Sequence, residues 1–299
     1  MEQGQLTKLM VPLDGSPLAE QALPYARALA TPATEIVLLE VVPWADEVRT
    51  VLGKLVATAA EVQEAYEASA REELEEVRRT WLGDRPKVTL EVAAGDPAEQ
   101  ILWAAERHAV DLIVMASHGR GALGRWIFGS VADRIARASI IPVMIIHPKD
   151  TTAQPEAQPR IQRIVLLTDG SSLSRQAIPM ATMLARTLSL PVHVLRALDP
   201  ATVVSRAALP PAPMPNSLYE DIVRQIKTDA EHGVKAIVEH LLALGISASG
   251  DVLEGPPGPT LIGALLPTDL VVLTSHGRSG LRRWLLGSMA EKIIRSGVA

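Results

Sequence analysis

Residues Leu9–Ala30 read LMVPLDGSPLAEQALPYARALA, and Ile164–Ala185 read IVLLTDGSSLSRQAIPMATMLA. The second stretch repeats the first, 155 residues further along the chain (9 to 164). A second block, Val110–Ser130, VDLIVMASHGRGALGRWIFGS, returns as Thr268–Ser288, TDLVVLTSHGRSGLRRWLLGS, at an offset of 158 (110 to 268). Two separated blocks at nearly one offset mean that a whole domain is duplicated, not a short motif. The expected domains are 1–149 and 161–299, joined by Asp150–Arg160, DTTAQPEAQPR, whose Pro, Gln and Thr content and lack of apolar periodicity read as a linker.

Working outward from the repeat, each copy alternates strand and helix. Leu9–Leu13 is a strand-type apolar run, and Asp14-Gly15-Ser16-Pro17 turns into a helix with Ser16 as N-cap and Pro17 at its first position. That helix sets Leu18, Ala22, Tyr25, Ala26 and Leu29 on one face. Pro24, matched by Pro179, lies inside it and predicts a kink or an interruption. Further strands are expected at Ile36–Val42, Val88–Ala93, Leu112–Ala116 and Pro142–Ile146. Helices are expected over most of Ala45–Trp81 and at Pro97–His108 and Val131–Ala138. Alternating apolar strands and helices imply an α/β fold with a parallel sheet covered on both faces, here two tandem doubly wound domains of Rossmann type.

The second copy keeps this order, with a proline-rich stretch at Leu209–Pro215 before its long helix. Its last residue, Ala299, falls opposite Ile141, ahead of the fifth strand of copy one. The last strand of domain 2 is therefore absent. The edge so exposed is expected to be covered by another segment or chain, or the sequence to be a shortened one.

Composition narrows the function classes. Hydrophobic residues at 47% and charged residues at 21% are globular values. A net charge of -5 disfavours nucleic acid as a partner, and 3% aromatics leave little for stacking single-stranded bases. The absence of cysteine removes disulfides, thiolate catalysis and Cys-based zinc sites. No leader-like segment or apolar run of membrane-spanning length is present, so a cytoplasmic location is expected.

The strongest chemical signal is Ser117-His118-Gly119, nine residues, then Gly129-Ser130, repeated as Ser275-His276-Gly277, nine residues, then Gly287-Ser288. Each follows an apolar strand and precedes a helix. Glycines there let backbone approach an anion, and the next helix offers unpaired N–H groups and a positive dipole end. The plainer reading is a turn glycine followed by an ordinary helix cap. The loops also carry Arg120 and Arg125, and Arg278, Arg282 and Arg283. Asp14 and Asp169, at the ends of the first strands, face the same crevice; each could accept from ribose hydroxyls or close an Asx turn. His118 and His276 have no ligand-spaced partners, and no P-loop, nucleophile elbow or His-Glu-x-x-His motif occurs. No metal site is expected, and no catalytic residue is assigned.

On these residues, from the Asp-Gly-Ser turn to the Gly-Ser helix, both copies resemble the universal stress protein family, over nearly the whole chain. The resemblance implies an adenine nucleotide α-hydrolase-like fold and points to the family's ATP-binding branch, with its Gly-x2-Gly-x9-Gly-Ser/Thr pattern. The first glycine of that pattern is replaced by Ala116 in copy one and by Thr274 in copy two. By resemblance, Pro12, Leu13, Asp14, Val41, Met115, Ala116, Gly119, Arg120, Gly129, Ser130 and Val131 would form the first nucleotide site. Leu167, Thr168, Asp169, Ala197, Leu273, Thr274, Gly277, Gly287, Ser288 and Met289 would form the second. The expected ligand is ATP, with magnesium as a counter-ion. The expected role is regulatory: bound nucleotide tunes conformation or partner contacts. A slow ATPase and a dimerisation scaffold with a degenerate second site are the alternatives. Fusion of two copies is expected to replace the family's homodimer with an intramolecular pair, and a homodimer of tandem chains is a further step.

Overall fold

The computed structural model describes residues 6–49, 55–85, 87–117, 129–147, 158–199, 216–274 and 288–298. The chain divides into two compact units, one over Leu6–Pro159 and the other built mainly on Arg160–Ser279 and the C-terminal helix.

In the first unit, β1 (Lys8–Leu13) is apolar and almost wholly buried. Ser16 then caps α1 (Pro17–Glu20) by accepting from the Ala19 amide at 3.2 Å, with Pro17 at the first helical position. The helix stops after one turn and restarts as α2 (Leu23–Leu29), with Pro24 in its first two positions. The expected interruption at Pro24 is thus present, because a ring nitrogen without a proton is tolerated only where no intrahelical bond is due. After β2 (Glu35–Val42) the segment expected to be mainly helical, Ala45–Trp81, begins otherwise. A short antiparallel pair, β3 (Val48–Arg49) and β4 (Leu55–Ala57), comes first. Helix α3 (Ala59–Val77) begins only at the capping box of Thr58 and Glu61, where each side chain accepts from the other's amide, at 3.2 and 2.7 Å. It runs on as a wider π turn, Arg78–Leu82, and ends at Gly83 with φ +56°. There follow β5 (Val88–Ala94), α4 (Pro97–Arg107), β6 (Leu112–Ala116), α5 (Ser130–Ala138) and β7 (Val143–Ile146).

The five long strands pair in parallel in the order β5-β2-β1-β6-β7. One face, with Met10, Val37, Leu39, Ile113 and Met115, packs on Ala98, Ile101 and Ala105 of α4 and Ala132 and Ile135 of α5. Side chains alternate across a strand, so Leu9, Val11 and Leu38, equally buried, point to the opposite face, where α2 and α3 lie.

The second unit repeats the plan with β8 (Arg163–Leu167), a 3-10 turn (Ser174–Ala177), α6 (Ile178–Leu188), β9 (Val192–Leu198), α7 (Asn216–Ala243), β10 (Ala248–Glu254), α8 (Pro257–Ala264), β11 (Asp269–Val272) and α9 (Ser288–Ser296). Pro179 again stands at the start of the second helical segment. Its parallel sheet has the order β10-β9-β8-β11, so among the described residues β11 ends the sheet where the first unit adds β7. Val165, Leu167 and Leu195 pack on Leu261 and Leu265 of α8 and Ile293 of α9.

Candidate functional site

Strand order reverses between β1 and β6. The chain leaves β1 towards β2 on one side and reaches β6 on the other, which is where doubly wound sheets open a crevice at the strands' carboxyl ends. The register Leu9↔Leu112 and Met10↔Ile113 brings Pro12 and Leu13 level with Met115 and Ala116. Pro12, Leu13 and Met115 are buried, while Val41 and Ala116 are half-buried. Asp14 stands exposed at the lip. Its Oδ1 accepts from the Ser16 amide at 3.1 Å and from the Ser16 hydroxyl at 2.5 Å, closing an Asx turn. Its Oδ2 has no partner among the described residues.

After β6, the Ser117 amide donates to the Ile146 carbonyl at 2.9 Å. Its hydroxyl lies 3.2 Å from the same oxygen and 3.0 Å from His147 Nδ1. These bonds fasten the end of β6 to the end of β7. Burial pushes His147 down to about 4, so the ring is neutral at ordinary pH.

Helix α5 begins at buried Gly129, which offers no side-chain cap, so the amides of its first turn stay unpaired within the helix. Exposed Ser130 and half-buried Val131 open that turn. Arg134 fixes the helix against α4 through Asp96 at 2.7 Å, and Asp96 also caps α4 by accepting from the Glu99 amide at 3.0 Å. Gly119 and Arg120, with His118 and Arg125, lie outside the described residues.

The second crevice is built differently. Thr168 and Leu167 are buried and Asp169 is exposed, its Oδ1 accepting from the Ser171 amide at 2.8 Å. Burial alone would raise the Asp169 carboxyl, but hydrogen bonds from Ser171 and Ser174 outweigh it and hold the group below its ordinary range. The Thr168 hydroxyl meets Ser174 Oγ at 2.8 Å and accepts from the Gly170 amide at 3.1 Å. Thr274 Oγ1 reaches the Leu173 carbonyl at 3.4 Å, across the space between the two strand ends. Ala197, Leu273 and Met289 are half-buried and pack on the apolar core beneath. Ser288 begins α9, and Gly277 and Gly287, with His276 and the loop arginines, lie outside the described residues.

Sequence reading missed Glu40, Glu73 and His147. Glu40 is a polar residue inside an otherwise apolar strand, EIVLLEVV, and that interruption was the available signal. Among the described residues no group of three or more His, Asp or Glu side chains is disposed to hold a metal ion. No helix among them is long and apolar enough to cross a membrane.

Comparison with known proteins agrees with this architecture. The sequence model of the Universal stress protein family matches residues 6–147 and again 160–297. A universal stress protein of Methanocaldococcus jannaschii is 28% identical over 156 residues, covering 48% of this chain and 96% of its own length. One from Mycolicibacterium smegmatis is 24% identical over 246 residues, 82% of this chain and 78% of the relative. The crystal structure of a universal stress protein from Archaeoglobus fulgidus superposes with a TM-score of 0.66 at 19% identity, covering 96% of this chain and 94% of that one, a likeness of fold. With the family matched in each of its two parallel-sheet units, this chain belongs to the universal stress protein family, as a tandem two-domain member.

Proposed function

We propose that the first unit binds an adenine nucleotide, ATP in the simplest case, and that the bound nucleotide tunes the protein's conformation or its contacts with partners. The observation that carries this reading is the uncapped start of α5 at Gly129, in the same unit as the reversal of strand order between β1 and β6. Unpaired first-turn amides and the positive end of the helix suit a phosphate. The free Oδ2 of Asp14 suits a ribose hydroxyl, and the buried Pro12 and Met115 with half-buried Val41 suit the apolar face of a base. ATP would be held by these groups, with magnesium arriving on the phosphates. The second unit reads as the degenerate partner, because Thr274 bonds across the corresponding crevice to Leu173.

The test is mass spectrometry of nucleotide released from the purified chain, followed by calorimetry with ATP and magnesium. One adenine nucleotide per chain is expected, with affinity falling about tenfold or more in Gly129→Val, a loss of at least ~1.4 kcal/mol. Absence of both co-purified nucleotide and binding heat would overturn the reading and favour a ligand-free scaffold.

A further inference from the structure

Below the Asp14 turn, on the α3 side of the sheet, the first unit holds a group of carboxylates that the nucleotide reading does not use. Glu40 sits in β2 between Leu13 of β1 and Val92 of β5. A small cavity joins it to Glu73 of α3 and Glu20 of α1, walled by Leu13, Leu74 and Val77. Among the described residues no lysine, arginine or histidine lines it. Gly15, at φ +72°, closes the top: Glu73 Oε2 lies 2.6 Å from the point where a Cβ on Gly15 would stand. The turn and α3 therefore meet through a bare glycine and a carboxylate.

Among the described residues, the titratable groups that face Glu40 are acidic. Glu73 approaches from α3, Asp14 from the end of β1 and Glu20 from α1, while β5 presents Val92. Glu20 accepts from Trp81 Nε1 at 3.1 Å, and Glu73 Oε1 is 3.4 Å from the Ser69 hydroxyl. Glu40 itself has no hydrogen-bond donor among the described residues. Burial first, then the charges of Glu73 and Asp14, push its carboxyl up to about 7.

The second unit carries the opposite charge at the same place. Arg196 follows Leu195 in β9 as Glu40 follows Leu39 in β2, and these leucines pair with Leu167 and Pro12, which precede the two turns alike. Arg196 Nη1 lies 2.7 Å from a Cβ position on Gly170 and 3.5 Å from one on Gly233 of α7. A guanidinium between two glycines stands where the first unit sets carboxylate against carboxylate.

We propose that Glu40 is a proton switch on the Asp14-Gly15-Ser16 turn of the first unit. Neutral, Glu40 lets the turn close on α3. Ionised, it faces Glu73 and Asp14 with no cation between them among the described residues, and the repulsion loosens the turn. Because the turn carries Asp14, the switch also regulates the proposed nucleotide site, and that last consequence alone rests on the nucleotide reading. An added negative charge there weakens ATP binding as pH rises.

The experiment follows the full chain from pH 5.5 to 8.5 without nucleotide, reading amide exchange protection at Ser16, which donates to Asp14, with Gly170 and Ser171, which donate to Thr168 and Asp169, as internal references. Protection at Ser16 is expected to fall across neutral pH, by up to about tenfold per pH unit for one proton, while the reference amides hold theirs. Glu40→Gln should flatten the profile, and Glu73→Gln should move its midpoint to lower pH. Superimposable profiles in wild type and Glu40→Gln overturn the switch; should that variant fail to fold, an unmoved midpoint in Glu73→Gln does so. In a second arm, the ATP dissociation constant is compared between wild type and Glu40→Gln at each pH, which cancels titration of the ATP phosphates. A wild-type-to-variant ratio that rises with pH supports regulation of the site, and a constant ratio overturns it. If ATP binds at no pH, the nucleotide reading falls and the exchange profiles decide the switch alone.

Discussion

Thr274 Oγ1 donates to the Leu173 carbonyl oxygen at 3.4 Å, tying the end of β11 to the segment that follows β8. At the matching place in the first unit Ala116 has no hydroxyl to give. One side chain thus separates a bridged crevice from an unbridged one.

The exchange of these two residues is the direct check on which unit takes nucleotide. Ala116→Thr is expected to weaken ATP binding by about tenfold, or ~1.4 kcal/mol, by setting a branched side chain at the crevice of the first unit. Thr274→Ala, which removes the bridge, is expected to raise stoichiometry above that of the wild type. Calorimetric titration of both variants reads both effects.

Gly15 is expected to resist substitution for two separable reasons. Its φ of +72° strains any side chain, and a Cβ would meet Glu73 Oε2 at 2.6 Å. Gly15→Ala should cost about 1–3 kcal/mol in urea unfolding. Glu73→Ala should recover the contact share of the loss at Gly15 and leave the backbone share.

Asp269 anchors β11 to β8. Its carboxylate is fully buried, takes Arg163 in a two-point contact at 2.7 and 3.0 Å, and accepts from the Leu266 amide at 2.8 Å. The partner carboxylate holds the Arg163 guanidinium above its usual range. Asp269→Ala leaves a part-buried guanidinium without its carboxylate and the Leu266 amide without its acceptor, and should destabilise the second unit by about 3 kcal/mol. Chemical denaturation followed by circular dichroism, with hydrogen exchange to separate the units, measures it.

Two groups of the first unit should bend its stability against pH in opposite directions. His147 is depressed to about 4, so the unfolded chain binds the extra proton below its ordinary 6.5. Its contribution is complete above 6.5 and is lost as pH falls towards 4, by up to about 3 kcal/mol. Glu40 is raised from 4.5 to about 7, so here the native state holds the extra proton. Stability is then lost as pH rises from 4.5 to 7, by on the order of 1–2 kcal/mol after screening of a half-exposed group. Thermal melts of His147→Phe should show a flatter acid limb, and those of Glu40→Gln a flatter limb towards neutral pH.

Much of the fold was legible because its signals are local. The strand at Lys8–Leu13, the Ser16 cap and the break at Pro24 each depend on a few neighbouring residues. The β3–β4 pair was not read, since Ala45–Trp81 carries a long charged helical pattern that hides where the helix begins. Thr58-x-x-Glu61 marks that start and was the missed cue. Of the site, the Asp14 turn could be placed at a strand end and Gly129 at a helix start from sequence. That β1 pairs with β6 depends on which strands meet, and no local pattern states that.

The sequence by itself determined that this protein is one α/β domain written twice, because repetition and apolar alternation are properties of the chain read in order. It also set Ala116 against Thr274; only the tertiary structure decided what such differences touch. Glu40 and Glu73 are 33 residues apart, Arg196 and Gly233 are 37, and Thr274 lies 101 beyond Leu173. Folding brings each pair together, and there the lowered dielectric turns spacing that means nothing along the chain into repulsion, accommodation or a hydrogen bond.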